Sequence, residues 1–128
     1  MSVCAIICAA GKGNRAGFEK NKLLVPYENE TVLYKTLSAF DFPAISQILV
    51  TSSQADFEEI SALCKKFDRT QAVLGGETRF QSVALALEKV TAEIVLIHDG
   101  ARPFVTRSMI EGCMRSVTAE GSGVCAIA

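Results

Sequence analysis

No stretch of this sequence is apolar for long enough to cross a bilayer. A spanning helix needs roughly 20 consecutive apolar residues, and the best candidate, Val3 to Ala10, has eight. That stretch is not expected to be a secretory leader, because no basic residue precedes it and a basic, glycine-rich loop follows where a cleavage site would be wanted. Excess charge is missing as well. The 13 basic residues stand against 14 acidic ones, a formal net charge of −1, so no global field draws the chain to a nucleic-acid backbone or an anionic membrane. Any phosphate site has to be local. Metal-type cysteine spacing is also absent: Cys4, Cys8, Cys64, Cys113 and Cys125 form no C-x-x-C pair, and their odd number fits no closed disulfide set. They are expected to be reduced thiols of a cytoplasmic protein, with Cys4 and Cys8 packed on the same side of one strand. With no linker, repeat or low-complexity segment, and with 49% hydrophobic residues, the chain reads as a single domain over residues 1–128.

What is present is an alternation of strand and helix signals. Val3 to Ala10 is small or apolar throughout and ends at Gly11, the pattern of a strand covered on both faces. Leu23 to Tyr27 is a short extended piece, followed by a turn at Glu28-Asn29-Glu30. Thr31 is placed to cap a helix bearing Leu33, Leu37 and Phe40, which Asp41-Phe42-Pro43 ends. Gln47 to Thr51 is a second strand. Ser53, with Asp56 three residues on, resembles a capping box, so a helix is expected from there with Phe57, Ile60, Leu63, Cys64 and Phe67 as its apolar stripe. Gln71 to Leu74 is a third strand, running into Gly75-Gly76 and a helix marked by Phe80, Val83, Leu87 and Val90. Ile94 to Ile97 is the fourth, ending in His98-Asp99-Gly100-Ala101-Arg102-Pro103. Thr106 caps a helix carrying Ile110, Cys113, Met114 and Val117, and Val124 to Ala128 reads as a fifth strand.

Such alternation implies a doubly wound α/β domain, a mostly parallel sheet joined by right-handed crossovers. In the common strand order 3-2-1-4, ligands bind beyond the carboxyl ends of the strands, between the first and the fourth. Residues 9–22 and 98–103 would then be neighbours.

The loop Gly11-Lys12-Gly13-Asn14-Arg15-Ala16-Gly17 lets backbone N–H groups approach an anion, and Lys12, Arg15 and Lys22 add ammonium and guanidinium charge. Glycines that serve only a tight turn are the competing reading. A G-x-x-x-x-G-K-[ST] phosphate grip is absent. The spacing G-x-G-x-x-x-G is one residue longer than the dinucleotide fingerprint, and the second strand ends Thr51-Ser52-Ser53 where a ribose-binding acid belongs, which disfavours a dehydrogenase. Asp99 is either a turn aspartate or a carboxylate facing the crevice, where Mg²⁺ on a triphosphate needs hard oxygen ligands. His98 reads as a satisfied histidine at a strand end rather than a catalyst. Arg102 either braces its loop or meets the ligand. Gly75-Gly76 either packs against a flat base or is a plain turn.

Taken together, Ala9-Ala10-Gly11-Lys12-Gly13-Asn14-Arg15 with Lys22, Gly75-Gly76-Glu77-Thr78-Arg79 with Ser82-Val83, and His98-Asp99-Gly100-Ala101-Arg102-Pro103 resemble one family, the 2-C-methyl-D-erythritol 4-phosphate cytidylyltransferases. The three blocks stand in that family's order and roughly its spacing. The resemblance implies a Rossmann-like nucleotidyltransferase fold, Mg²⁺ as cofactor, and transfer of CMP from CTP to a polyol phosphate acceptor in the non-mevalonate isoprenoid pathway. It implies that Arg15 and Lys22 are the catalytic cations, and that Ala9, Ala10, Gly11, Lys12 and Gly13 hold the triphosphate. Gly76, Glu77 and Ser82 would lie near the cytosine. Asp99, Gly100 and Arg102 would contact the ribose and support the metal-bound phosphates, with Asp99 toward the metal.

Glu77 stands where that family commonly has aspartate, and Cys8 where it has proline or alanine; neither change removes a required charge. The family extends well past residue 128, into segments that carry an acceptor-binding threonine, arginine and lysine and a dimerisation arm. The chain therefore resembles a truncated, nucleotide-binding half, expected to be inactive alone and a homodimer only at full length. Two other readings stay open: a ribitol 5-phosphate cytidylyltransferase, and a non-catalytic nucleotide-binding module.

Overall fold

The computed structural model describes residues 2–10, 24, 26–27 and 30–121. The expectations for Gly11, Lys12, Gly13, Arg15 and Lys22, and for a strand over residues 124–128, lie outside the described residues. The elements run β1 (Val3–Ala9), β2 (Pro26–Tyr27), β3 (Glu30–Thr31), α1 (Val32–Phe40), β4 (Gln47–Ser52), α2 (Phe57–Cys64), β5 (Thr70–Leu74), α3 (Arg79–Leu87), β6 (Ile94–Asp99) and α4 (Arg107–Glu120).

All seven residues of β1 are buried, as a strand without a charged or strongly polar side chain must be. It lies between β4 and β6, parallel to both, and β5 adds beyond β4, giving the order β5-β4-β1-β6. This is the expected 3-2-1-4 arrangement in an α/β fold. Alternation along β1 sends Val3, Ala5, Ile7 and Ala9 to one face and Cys4, Ile6 and Cys8 to the other. The first face packs on Leu33, Leu37 and Phe40 of α1, Ile60, Leu63 and Cys64 of α2, and Ile110 of α4. The second packs on Val83 and Ala86 of α3.

Handedness explains this division. The chain moves outward from β1 to β4 to β5 through α1 and α2 on one face, then crosses back to β6 through α3 on the other. The direction of winding reverses at β1, so the carboxyl ends of β1 and β6 flank the switch-point crevice.

Three helices begin where a threonine marks their start. Thr31 accepts from the Tyr34 amide, Thr78 from Gln81 and Thr106 from Met109, each at 3.0–3.2 Å. The last helix stops at Gly121, whose φ of 85° is the left-handed conformation that glycine takes without a Cβ penalty. The helix expected from Ser53 starts later. Ser53 Oγ donates to Asp56 Oδ2 and accepts from the Asp56 amide, so the pair closes a turn over residues 54–56 and α2 begins only at Phe57. Glu30, expected in a turn, pairs with Tyr27 in a small antiparallel ribbon, and β6 continues two residues past Ile97 to include His98 and Asp99.

Burial of thiols makes the fold sensitive to alkali. Desolvation pushes Cys4 and Cys64 from the ordinary 9.0 up to about 11. The folded chain therefore keeps these protons while the unfolded chain loses them. Their contribution is complete below pH 9.0 and is lost as pH rises to about 11, about 2–3 kcal/mol per thiol. Urea unfolding is expected to show a steeper fall in stability across that window for the wild-type chain than for Cys4→Ala/Cys64→Ala. Equal slopes would contradict this account.

Candidate functional site

The strand order brings three separated blocks to the carboxyl edge of the sheet. At the end of β1, the Ala9 amide donates to Thr51 Oγ1 at 3.2 Å, a fully buried hydroxyl on β4. At the end of β5, the Gly75 amide continues the ladder to Ser52 O at 2.8 Å, which carries the diglycine turn back over the sheet. At the end of β6, Asp99 is in register with Cys8, so the two side chains leave the sheet on the same face.

The diglycine turn is held from inside. Ser82, only 2% exposed, accepts from the Gly76 amide at 3.1 Å through its Oγ. Gln81 Oε1 accepts from the Glu77 amide at 2.8 Å, while the Glu77 side chain is exposed. These two amides are thus used within the turn. A Cβ on Gly75 would come within 2.5 Å of Ser82 Oγ and 2.9 Å of Ala10 Cβ, so Gly75 is the glycine pressed between the β1 block and α3.

Gly100 is clamped on the other side of β1. Its amide donates to Cys8 O at 2.9 Å, and its carbonyl accepts from the buried Thr36 Oγ1 of α1 at 2.8 Å. Asp99 Oδ1 accepts from the Ala101 amide at 3.0 Å and Asp99 O from the Arg102 amide at 3.1 Å. Among the described residues the one hydrogen bond to the Asp99 carboxylate is at Oδ1, which leaves Oδ2 as a further acceptor. The Arg102 side chain is exposed.

His98 points to the opposite face from Asp99. Its ring packs on Phe40 with centroids 5.2 Å apart, and Nε2 lies 3.1 Å from Arg102 O, which makes Nε2 the protonated nitrogen because a carbonyl only accepts. It braces the loop.

The Cys8 thiol reports the charges around the crevice. Burial pushes it above the ordinary range; the Arg79 guanidinium pulls it down and the Asp99 carboxylate pushes it up, so both charges lie within electrostatic reach of Sγ. Arg79 opens α3 and brings a cation toward the face that carries Asp99. Among the described residues no group of three or more His, Cys, Asp or Glu side chains can hold a metal. A lone carboxylate with an available oxygen suits a magnesium ion that arrives on a nucleotide, since such ions use one or two carboxylates together with phosphate oxygens.

Ala9, Ala10, Gly76, Ser82, Asp99 and Gly100 are thus gathered along one edge. Gly75, Thr36 and Gln81 also shape it. The T-x-x-Q spacing of Thr78 and Gln81 was a readable cap signal, and Thr36 stands out as a polar residue within the Leu33, Leu37, Phe40 stripe.

Residues 3–128 match the family model of 2-C-methyl-D-erythritol 4-phosphate cytidylyltransferase. A curated protein of that description from Clostridium tetani is 33% identical over 129 residues, covering 97% of this chain and 52% of the relative. One from Clostridium novyi is 38% identical over 130 residues, covering 97% and 56%. The crystal structure of a 2-C-methyl-D-erythritol 4-phosphate cytidylyltransferase from Thermus thermophilus superposes with a TM-score of 0.73 at 30% identity, covering 94% of this chain and 52% of that one. The chain spans about half the length of the curated relatives it matches.

The contact at Gly75 sets a measurable coupling. Gly75→Ala forces its methyl against Ser82 Oγ and is expected to cost about 1–3 kcal/mol in urea unfolding. Ser82→Ala leaves the Gly76 amide unpaired, at about 1 kcal/mol. The double variant removes the closest of the clashing atoms, so its loss is expected to fall short of the sum by at least about 0.5 kcal/mol. Additive losses would show that the two positions do not press on each other.

Proposed function

The chain belongs to the 2-C-methyl-D-erythritol 4-phosphate cytidylyltransferase family, and from that we propose that it is the nucleotide-binding part of an enzyme that transfers CMP from CTP to 2-C-methyl-D-erythritol 4-phosphate and releases pyrophosphate. The observation that carries the proposal is the convergence of the ends of β1, β5 and β6. A diglycine turn braced by Ser82 and an Asp99 carboxylate with an available oxygen flank the strand that leads into the Gly11 to Lys22 loop.

The chemistry needs no protein nucleophile. A phosphate monoester is already anionic near neutral pH, so its oxygen attacks the α-phosphorus of CTP in line, forming one P–O bond while the bond to the pyrophosphate leaving group breaks. The protein supplies orientation and charge. In this reading Ala9, Ala10, Gly11, Lys12 and Gly13 line the triphosphate, and Arg15 and Lys22 neutralise charge that grows on the α-phosphate and on the leaving oxygen. The diglycine turn, with Gly76, Glu77 and Ser82, lies along the cytosine. Gly100 and Arg102 face the ribose side. Asp99 would help to hold Mg²⁺, which supplies a further positive charge to the triphosphate when bound.

The acceptor side belongs to the part of the relatives that this chain does not span, as does the dimer contact the resemblance implies. We therefore take residues 1–128 as a single nucleotide-binding domain that binds CTP weakly and does not turn over alone. Reduced cysteines suit a cytoplasmic setting, and among the described residues no helix is long and apolar enough to cross a membrane.

Pyrophosphate release tests the reading. The chain joined to the second half of the Clostridium tetani relative is expected to release pyrophosphate from CTP only when the acceptor is present. Lys22→Ala or Arg15→Ala in that fusion is expected to slow release by about 100-fold or more. Near-normal release by either variant would remove its residue from the assignment, and equal release with ribitol 5-phosphate would leave the acceptor undetermined.

A further inference from the structure

Helix α1 reaches the Asp99–Arg102 turn at two points. Thr36 Oγ1 donates to Gly100 O at 2.8 Å across 64 residues of sequence, with donor and acceptor both buried. One turn further along, Phe40 packs on His98, whose Nε2 holds Arg102 O. We propose that Thr36 is a positioning residue of the nucleotide site, fixing the Gly100 peptide so that the Asp99 carboxylate and the Arg102 backbone are set before a nucleotide arrives. The proposal rests on the nucleotidyl-transfer reading above and names a contributor outside the three sequence blocks.

Three features separate this role from ordinary helix packing. Thr36 is fully buried in a stripe that is otherwise Leu33, Leu37 and Phe40. A valine would fill the same volume there, so the hydroxyl is not needed for burial. A helical threonine commonly donates back to the carbonyl four residues earlier. Here Val32 O is 3.2 Å away, the longer of the two contacts, and a hydroxyl has a single proton to give. Gly100 is buried with its amide, part of the Asp99–Gly100 peptide, committed to Cys8 O, and the Thr36 bond fixes the next peptide, Gly100–Ala101, from a second element. The Asp99 side chain follows, because Oδ1 is tied to the Ala101 amide, the next along the turn. Without the Thr36 hydroxyl the Gly100 carbonyl would be buried with no partner, and the turn would relax toward solvent.

Two readouts on the 128-residue chain test this. In Thr36→Val, amide hydrogen exchange at Gly100, Ala101 and Arg102 is expected to quicken by about tenfold, the loss of one buried hydrogen bond, with amides of α2 and β5 unchanged. Thr36→Ser, which keeps the hydroxyl, is expected to restore slow exchange. The dissociation constant for Mg·CTP, measured by calorimetry up to millimolar nucleotide, is expected to rise by about tenfold in Thr36→Val and to return in Thr36→Ser. Equal acceleration of all amides, or an unchanged turn in Thr36→Val, would overturn the positioning role. Thr36→Ala gives the same comparison should the valine variant not fold. If the wild-type chain shows no Mg·CTP binding, the nucleotide reading fails, while the exchange pattern still decides whether Thr36 sets the turn.

Discussion

Everything in this molecule hangs on β1, which must be buried on both faces and hydrogen-bonded on both edges. Its seven residues carry no charge and no strong side-chain hydrogen-bonding group, so the sequence can place it only at the centre of a parallel sheet with a helical layer on each side. From that position the rest follows. β4 and β6 flank it, and the direction of winding reverses there, so the carboxyl end of β1 lies at the switch point of the sheet.

The crevice is built by long-range bonds rather than by the loops themselves. Ser82 braces the diglycine turn from α3, Thr36 braces Gly100 from α1, and Cys8 lends its carbonyl to the Gly100 amide. Each bond ties a loop residue to a rigid element of the scaffold, so the backbone of the site we propose for the nucleotide is held by elements on both faces of the sheet. Under the proposed nucleotidyl transfer, which uses no protein nucleophile, positioning and charge are what the protein would supply. The two faces of β6 divide the work: Asp99 lies on the face of Cys8, and His98 turns to the other face, where it holds Arg102 O.

Much of this was legible because it is local. The burial of β1, the threonine caps at Thr31 and Thr106, and the alternation of strands and helices all depend on neighbours within a few residues. The family is equally legible, because its three blocks are short and contiguous. What escaped is non-local or degenerate. Thr36 stands out only as a polar residue in an apolar stripe, and what its hydroxyl meets is not readable, because the acceptor lies 64 positions away. The doublet Gly75-Gly76 does not reveal which glycine is pressed against Ala10, since that depends on how α3 lies over β1. Ser53 and Asp56 satisfy a capping pattern, yet their side chains bond to each other and close a turn, so the helix starts at Phe57. The cations Lys12, Arg15 and Lys22 carry the strongest chemical signal in the sequence, and the role we propose for them rests on the family's chemistry.

We propose that the ends of β1, β5 and β6 form one surface for Mg·CTP. Titrating Mg·CTP into isotope-labelled protein and following backbone amide shifts tests it most directly. Shifts are expected to saturate together at Ala9 and Ala10, at residues 75–82 and at residues 99–102, with α4 and the far ends of the strands unmoved. Shifts confined to one block, or centred on the outer face of α4, would contradict it.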